Sequence, residues 1–330
     1  MQPAITGKEV TYLEAIRQAM FEEMRRDPNV FAIGEDIGQF GGAFKVTKGL
    51  LDEFGADRVI DAPIAESAIV GAAIGAAMCG MRPIVEMQFA DFVTNAYNML
   101  VSNAAKAHYR WSQSVPMVVR CPSGGGIHGG PFHSTNPEGI FFHIPGLKLV
   151  CPSTPNDARG LLKAAVRDNN PVLFFEHKFL YRRAKEVLVE GDGVVEIGVA
   201  RVVRPGRDAS VITYGSTVHM SVEAAEKLAQ EGYEVEIVDL RTVLPWDRQT
   251  VLNSVKKTAR ALVVHEDTRT GGIGAEVAAT ISELCFEWLD APVMRVASHD
   301  TPVPFAPPLE EFFMPSAKKI EDELRTLLQF

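Results

Sequence analysis

The feature that most constrains this chain is an alternation. Short, almost wholly apolar runs are each followed by a longer stretch of helical period. Residues 29–34, 58–61, 82–88, 116–121, 147–151 and 171–176 read as strands in the first half, and 210–214, 234–240, 261–265 and 292–297 in the second. Few of them alternate apolar with polar residues, so these strands are expected to be buried on both faces. Helices are predicted between them, at 66–80, 92–108, 155–168, 218–230, after Pro245, and at 274–288. Thr11-Tyr12-Leu13-Glu14 reads as a capping box opening a helix to about residue 26. The order implies an α/β fold: two doubly wound domains with mostly parallel sheets.

The pattern breaks near residues 185–205, where Glu186, Glu190, Gly191, Asp192, Gly193 and Gly198 precede Pro205-Gly206. The expected organisation is an α/β domain over 1–185, a linker or β-rich crossing segment over 186–205, and a second α/β domain over 206–330. A length of 330 residues suits two domains. Pro302, Pro304, Pro307 and Pro308 predict an irregular segment before a last helix at 316–328.

Composition narrows the function. A 46% hydrophobic and 23% charged chain is ordinary for a globular protein. The formal net charge is −9 with no basic run, which argues against nucleic acid and anionic membranes as partners. No apolar run reaches transmembrane length. Glu9, Glu14, Glu22 and Glu23 near the start, with no apolar h-region, predict neither a secretory nor a transit peptide. Cys79, Cys121, Cys151 and Cys285 form no CxxC and are expected to be reduced, buried thiols in a cytoplasmic protein.

One carboxylate stands out. After Pro63 the chain reads Ile64-Ala65-Glu66 and then almost only small or apolar residues to Gly80. Glu66 therefore opens an apolar helix. Buried and ionised it would need a partner; alternatively it caps the helix in water. Gly71 and Gly75 leave one face bare for a close helix–helix contact, within the chain or between subunits, or belong to an ordinary Ala-rich core helix. The loop 124–134 holds five glycines with His128 and His133, which suits close backbone approach to a ligand and proton transfer, or a solvated surface loop. A metal set of His128, His133, Glu138 and His143 has no recognised ligand spacing. Phe89 and Phe92 follow a strand end, where α/β proteins bind ligands, though plain core is the other reading. Gly271-Gly272-Ile273-Gly274 lacks the third Rossmann glycine. Gly191-Asp192-Gly193 looks like the start of a thiamine-diphosphate metal motif, but the paired asparagines that should follow are missing. No GxSxG elbow occurs.

Several ordered segments carry a resemblance: Gly34-Glu35-Asp36, Pro63-Ile64-Ala65-Glu66, Glu86-Met87-Gln88-Phe89-Ala90-Asp91-Phe92, His133-Ser134, Pro145-Gly146-Leu147-Lys148, Arg167-Asp168-Asn169-Asn170-Pro171, Asp239-Leu240-Arg241-Thr242 and Leu289-Asp290-Ala291-Pro292. Over nearly its whole length the chain resembles the beta subunits of thiamine-diphosphate-dependent 2-oxo acid dehydrogenases. Gln88-Phe89-Ala90-Asp91, Phe179-Leu180-Tyr181-Arg182 and Leu244-Pro245-Trp246-Asp247 lean toward the branched-chain enzyme; the pyruvate and acetoin enzymes are the alternatives. The resemblance implies a transketolase-like pyrimidine-binding domain followed by a transketolase C-terminal domain.

It also implies roles. Glu66 would hydrogen-bond N1′ of the cofactor's aminopyrimidine, Phe92 would stack on that ring and Ile64 would touch it. Glu35 would lie in an acidic, watery passage between two active sites. His133 would give a proton during acyl transfer to the lipoyl arm of an acyltransferase. Main-chain oxygens of Met117, Val118, Ala165, Asp168 and Asn170 would hold potassium. Asp290 and the terminal carboxylate of Phe330 would receive the acyltransferase's subunit-binding domain. An alpha subunit would supply the diphosphate and magnesium site in an α2β2 heterotetramer, with the second beta subunit across a two-fold axis; the second domain, 206–330, would carry no cofactor and would serve assembly. The location implied is the cytoplasm, or the mitochondrial matrix for a processed eukaryotic chain. A non-catalytic scaffold is disfavoured by Glu66, Phe92 and His133, and a one-chain transketolase by the missing diphosphate motif.

Overall fold

The computed structural model describes residues 7–330; residues 1–6, with which the expected first domain begins, lie outside the described residues. The chain divides into two compact units. One comprises residues 7–123 and 143–197, the other 124–142 and 198–330. The glycine-rich loop carrying His133 thus belongs to the second unit, although its flanking strands in sequence belong to the first.

In the first unit, β1 (Val30–Gly34), β2 (Val59–Asp61), β3 (Arg82–Glu86), β4 (Val118–Ser123), β5 (Lys148–Val150) and β6 (Val172–His177) lie in the order β5-β6-β4-β3-β1-β2, and every pair is parallel. Helix α1 (Tyr12–Arg26) begins with the expected capping box: the Thr11 hydroxyl accepts from the Glu14 N–H (3.2 Å), and the Glu14 carboxylate accepts from the Thr11 N–H (2.8 Å). Its face of Tyr12, Ile16, Ala19, Met20 and Met24 joins Ala158, Leu161, Leu162 and Ala165 in one core cluster. Burial of each large apolar side chain there contributes roughly 1.5–3 kcal/mol. The Gly191-Asp192-Gly193 turn closes on this layer. The Gly191 carbonyl accepts from the Arg159 guanidinium at 2.8 Å, the Asp192 carbonyl from Lys163 at 2.6 Å, and the Asp192 carboxylate pairs with Arg167 at 2.6 Å. The motif-like triplet is a clip on the helix Pro155–Arg167.

In the second unit, β7 (Arg201–Arg204), β8 (Ala209–Thr213), β9 (Val235–Asp239), β10 (Ala261–Thr268) and β11 (Met294–Ser298) lie in the order β11-β10-β8-β9-β7; only the edge strand β7 is antiparallel. Ala224, Ala225 and Leu228 of one helix, with Ile320, Leu324 and Leu327 of another, pack with Val211, Ile237, Leu262 and Val264 of the sheet. Gly272 and Gly274 open the helix Ile273–Leu284. A Cβ on Gly272 would lie 2.6 Å from the His265 ring and one on Gly274 2.5 Å from it, so these glycines make room for that side chain.

The expected irregular segment around Pro307 is instead a helix, Pro307–Phe313. Proline at the first helical positions needs no N–H partner there. The helix expected at 92–108 is broken into a 3-10 turn (Ala90–Ala96), a π turn (Met99–Ala104) and an α-helix (Ala105–Trp111). The Ser67 hydroxyl donates to the Asn95 carbonyl, taking an acceptor that a regular helix would use itself. Cys79 is exposed rather than buried, because it ends a helix on its outer side; the other three thiols are buried, and none of the four is in a disulfide. No helix among the described residues is long and apolar enough to cross a membrane.

Candidate functional site

β2 ends at Asp61, whose carboxylate accepts the Gly38 N–H at 2.7 Å. The chain turns through Pro63 and Ile64, and α2 (Glu66–Met78) begins. Its N-cap, Ala65, offers no side-chain acceptor, and Glu66 is the acidic residue of the first turn, at the positive end of the helix dipole. Glu66 is half-exposed and makes no hydrogen bond or ion pair among the described residues. Ile64, next but one, is 82% exposed. An ionisable group and an aliphatic side chain are thus offered together beyond the carboxyl end of a parallel strand, the usual ligand position in α/β sheets. Glu35, at the end of β1, is buried. Burial first, then the charges of Glu66 and Asp36, hold its carboxyl above the usual carboxylate range.

α2 is buried on one face only, through Ile69, Val70, Ala73, Ile74 and Ala77. The opposite face of Ala68, Ala72, Gly75 and Cys79 is exposed. A Cβ on Gly75 would meet nothing within 4 Å, and one on Gly71 only the Met99 sulfur at 3.7 Å. The expected close helix–helix contact at the glycines is therefore not made among the described residues.

Phe92 is half-buried and sits edge-on to Phe89, with ring centroids 6.0 Å apart. Phe89 meets Phe44 at 5.3 Å, and Phe44 meets Tyr181 at 5.3 Å. Beneath this run of rings lies a buried ionic triad. Arg120 (β4) grips Glu176 (β6) through two bonds of 2.5 and 2.8 Å and pairs with Glu86 (β3); the Tyr181 hydroxyl donates to Glu176 at 2.7 Å. Burial raises the Glu86 pKa, partly offset by Arg120, and the two carboxylates hold Arg120 firmly protonated.

The loop 124–130 is pinned within the second unit. Glu266 accepts from the Gly125 N–H (2.7 Å), the Asn136 amide (2.8 Å) and the Ser216 hydroxyl (2.9 Å). Glu310 accepts from the N–H groups of Gly126 (3.0 Å) and His128 (3.2 Å) and pairs with His128 Nδ1 at 2.6 Å. A Cβ on Gly125 would lie 2.9 Å from the Met314 sulfur, and one on Gly130 would strike the Phe305 ring. At these two positions the glycines admit the chain's own side chains. His133 follows the short turn Gly130–Phe132 and is half-exposed.

Glu138 and Asp267 lie close by in the same unit. Burial, then the Asp267 charge, pushes Glu138 up to about 8, and burial pushes Asp267 up to about 6. Carboxyls raised in the folded state favour folding fully below their unfolded values near 4, and that stability is lost as pH rises through about 6 to 8. Glu138→Gln, which cannot ionise, should flatten the decline. Denaturant midpoints of both proteins between pH 5 and 9 check this; parallel curves would reject it. His265 is held down to about 4, by burial and then by Arg295, and so stays neutral.

These two arrangements can be set against known proteins. Residues 8–184 match the model for "Transketolase, pyrimidine binding domain" and residues 198–320 that for "Transketolase, C-terminal domain". The 2-oxoisovalerate dehydrogenase subunit beta of Bacillus subtilis is 53% identical over 97% of this chain and 99% of its own. The chain belongs to the family of 2-oxo acid dehydrogenase beta subunits. Another relative, Arabidopsis thaliana 2-oxoisovalerate dehydrogenase subunit beta 2, mitochondrial, is 43% identical over 98% of this chain and 91% of its own. The pyruvate dehydrogenase E1 component subunit beta of Staphylococcus epidermidis is 43% identical over 98% and 99%. A solved structure described as a split gene transketolase, inactive beta4 tetramer, has a TM-score of 0.81 at 21% identity, covering 97% of this chain and 98% of that one; it shows the fold.

Of the residues singled out for this family, Glu35, Ile64, Glu66 and Phe92 belong to the first unit and His133 to the second. Of the potassium set, Met117 O accepts the Val172 N–H, Ala165 O the Asp168 N–H and Asp168 O the Arg82 guanidinium, each keeping a second lone pair. Among the described residues no group of three or more His, Cys, Asp or Glu is placed to hold a metal. Asp290 is exposed and only loosely paired with Arg260 (3.9 Å), and Phe330 is exposed. Sequence reasoning missed the roles of Arg120, Glu176, Glu266 and Glu310. A signal existed for two of them, since each interrupts an otherwise apolar strand.

Proposed function

We propose that this chain is the beta subunit of a branched-chain 2-oxo acid dehydrogenase, working with an alpha subunit in an α2β2 heterotetramer to decarboxylate branched-chain 2-oxo acids and acylate a lipoyl group. The observation that carries the substrate is the 53% identity to the Bacillus subtilis 2-oxoisovalerate subunit, against 43–44% for pyruvate dehydrogenase subunits. The first unit's groups fit an aminopyrimidine: Glu66 has a carboxylate with no hydrogen-bond partner among the described residues, Ile64 is an exposed aliphatic neighbour, and Phe92 is a half-buried aromatic ring. Thiamine diphosphate, when bound, supplies the electron sink that lets a 2-oxo acid lose CO₂. Glu66 would hold and exchange a proton with a nitrogen of that ring, from its place at the helix N-terminus. Phe92 and Ile64 orient the ring and exclude water. Glu35, raised by burial, shares the negative field around Glu66.

His133 delivers a proton to the sulfur released when the lipoyl disulfide opens. The alpha subunit holds the diphosphate and magnesium, since this chain lacks that motif. The small-residue face of α2 meets the second beta subunit. Asp290 and Phe330 receive the acyltransferase's subunit-binding domain, and the carbonyls of Met117, Val118, Ala165, Asp168 and Asn170 take potassium. The assembly works in the cytoplasm. With its alpha subunit, the chain should turn over 3-methyl-2-oxobutanoate with kcat/KM at least ~10-fold above pyruvate, the scale that small apolar groups confer. Equal or reversed values would reassign it to pyruvate.

A further inference from the structure

The loop 124–130 has five glycines in seven positions, and so has more backbone freedom to lose than any other short stretch of the chain. Local backbone bonds hold only its two ends, Gly124 N–H to Thr135 O at 3.1 Å and His133 N–H to Gly130 O at 3.3 Å. Between those ends, N–H groups are taken by two buried carboxylates far away in the chain. Glu310 is 1% exposed and Glu266 5% exposed, and together they take the N–H groups of Gly125, Gly126 and His128. Bonds from N–H groups to an ionised acceptor are the strong kind. His128 has a left-handed backbone with φ +58°, which a side-chain-bearing residue adopts only when its surroundings hold it. Both its N–H and its Nδ1 bond to the same Glu310 oxygen. The Phe305 ring then seats against Gly130, three residues before His133.

We propose that Glu310 and Glu266 are positioning residues for acyl transfer: they clamp the glycine loop so that His133 is presented in one place. The second unit, expected only to serve assembly, thereby controls one half of the reaction. This rests on the reading of His133 as the proton donor to the lipoyl sulfur. Neither carboxylate touches that sulfur, and both act through the loop backbone.

The test uses the full chain with its alpha subunit and a lipoyl domain. Two half-reactions are followed: CO₂ release with an artificial electron acceptor, and acylation of the lipoyl group. His133→Ala is the reference and should lower acylation at least ~10-fold more than CO₂ release. Glu310→Gln should show the same skew, because the neutral amide keeps the shape but loses the charge. Hydrogen exchange on the isolated full chain should show the Gly126 and His128 amides of Glu310→Gln opening at least ~10-fold faster, with the Leu324 amide unchanged. Wild-type exchange rates at the loop, or equal losses in both half-reactions, would overturn the clamp. If His133→Ala loses both half-reactions equally, the role of His133 falls, and the exchange rates still judge the clamp. Should Glu310→Gln not fold, His128→Gly removes the imidazole contact without strain at positive φ. It should give the same skew at roughly threefold; no skew would count against the proposal.

Discussion

Glu66→Gln is expected to cut CO₂ release by roughly 10²–10⁴, the range for removing a positioned acid–base group. That is about 3–5 kcal/mol of barrier. The fold should barely notice. Glu66 is half-exposed and makes no hydrogen bond or ion pair among the described residues. The loss to stability is limited to the charge–dipole term at the start of α2, about 0.3–1 kcal/mol. Thermal unfolding and CO₂ release, measured on the same preparation with the alpha subunit, separate the two effects. Turnover near wild type with an unchanged melting curve would remove Glu66 from the chemistry. A loss of turnover matched by a large drop in melting temperature would make it structural.

The second large effect is at Arg120. Its side chain is fully buried between Glu86 and Glu176. Arg120→Leu leaves two buried carboxylates with no cation, and breaking a buried pair from one side costs about 3–5 kcal/mol. The pH dependence identifies the cause. Without Arg120 the Glu86 carboxyl, already raised by burial, is pushed further up in the folded state, so the native protein binds more protons than the unfolded chain. The penalty is then largest above that raised folded value and relieved as pH falls toward the unfolded one. Urea unfolding should show a wide gap from wild type at pH 8 and a narrower one at pH 5. A cost under about 1 kcal/mol, or a gap independent of pH, would mean the triad is not what holds these strand ends. The Tyr181 hydroxyl on Glu176 leads through Phe44 and Phe89 to Phe92, so the variant should also weaken cofactor binding.

Much of the architecture is legible in the residues. The capping box at Thr11–Glu14 is local chemistry, complete within four residues, and the structure forms it. The apolar strands declare themselves because a strand covered on both faces has no polar side to show. The family follows from ordered motifs spread along the chain, including the Glu66 and His133 segments. Other features depend on residues distant in sequence. Glu86, Arg120 and Glu176 look like three separate interruptions, because their partners lie 34 and 56 residues apart. The segment after Pro307 reads as irregular until the helix is allowed to begin on the proline itself. The glycines of the 124–130 loop suggest a ligand cradle, yet two of them admit Met314 and Phe305, more than 170 residues on.

The sequence by itself determined the layered α/β plan, the family and the acid that opens α2. These rest on periodicity, on local hydrogen bonding and on motifs contiguous in the chain. Only the tertiary structure decided that the His133 loop is held by Glu266 and Glu310, that Arg120 balances two buried acids, and that the glycine face of α2 is left uncovered. The physical reason is that buried charge and close backbone approach are properties of pairs. A single residue type carries no record of which distant partner neutralises it or fills the space beside it.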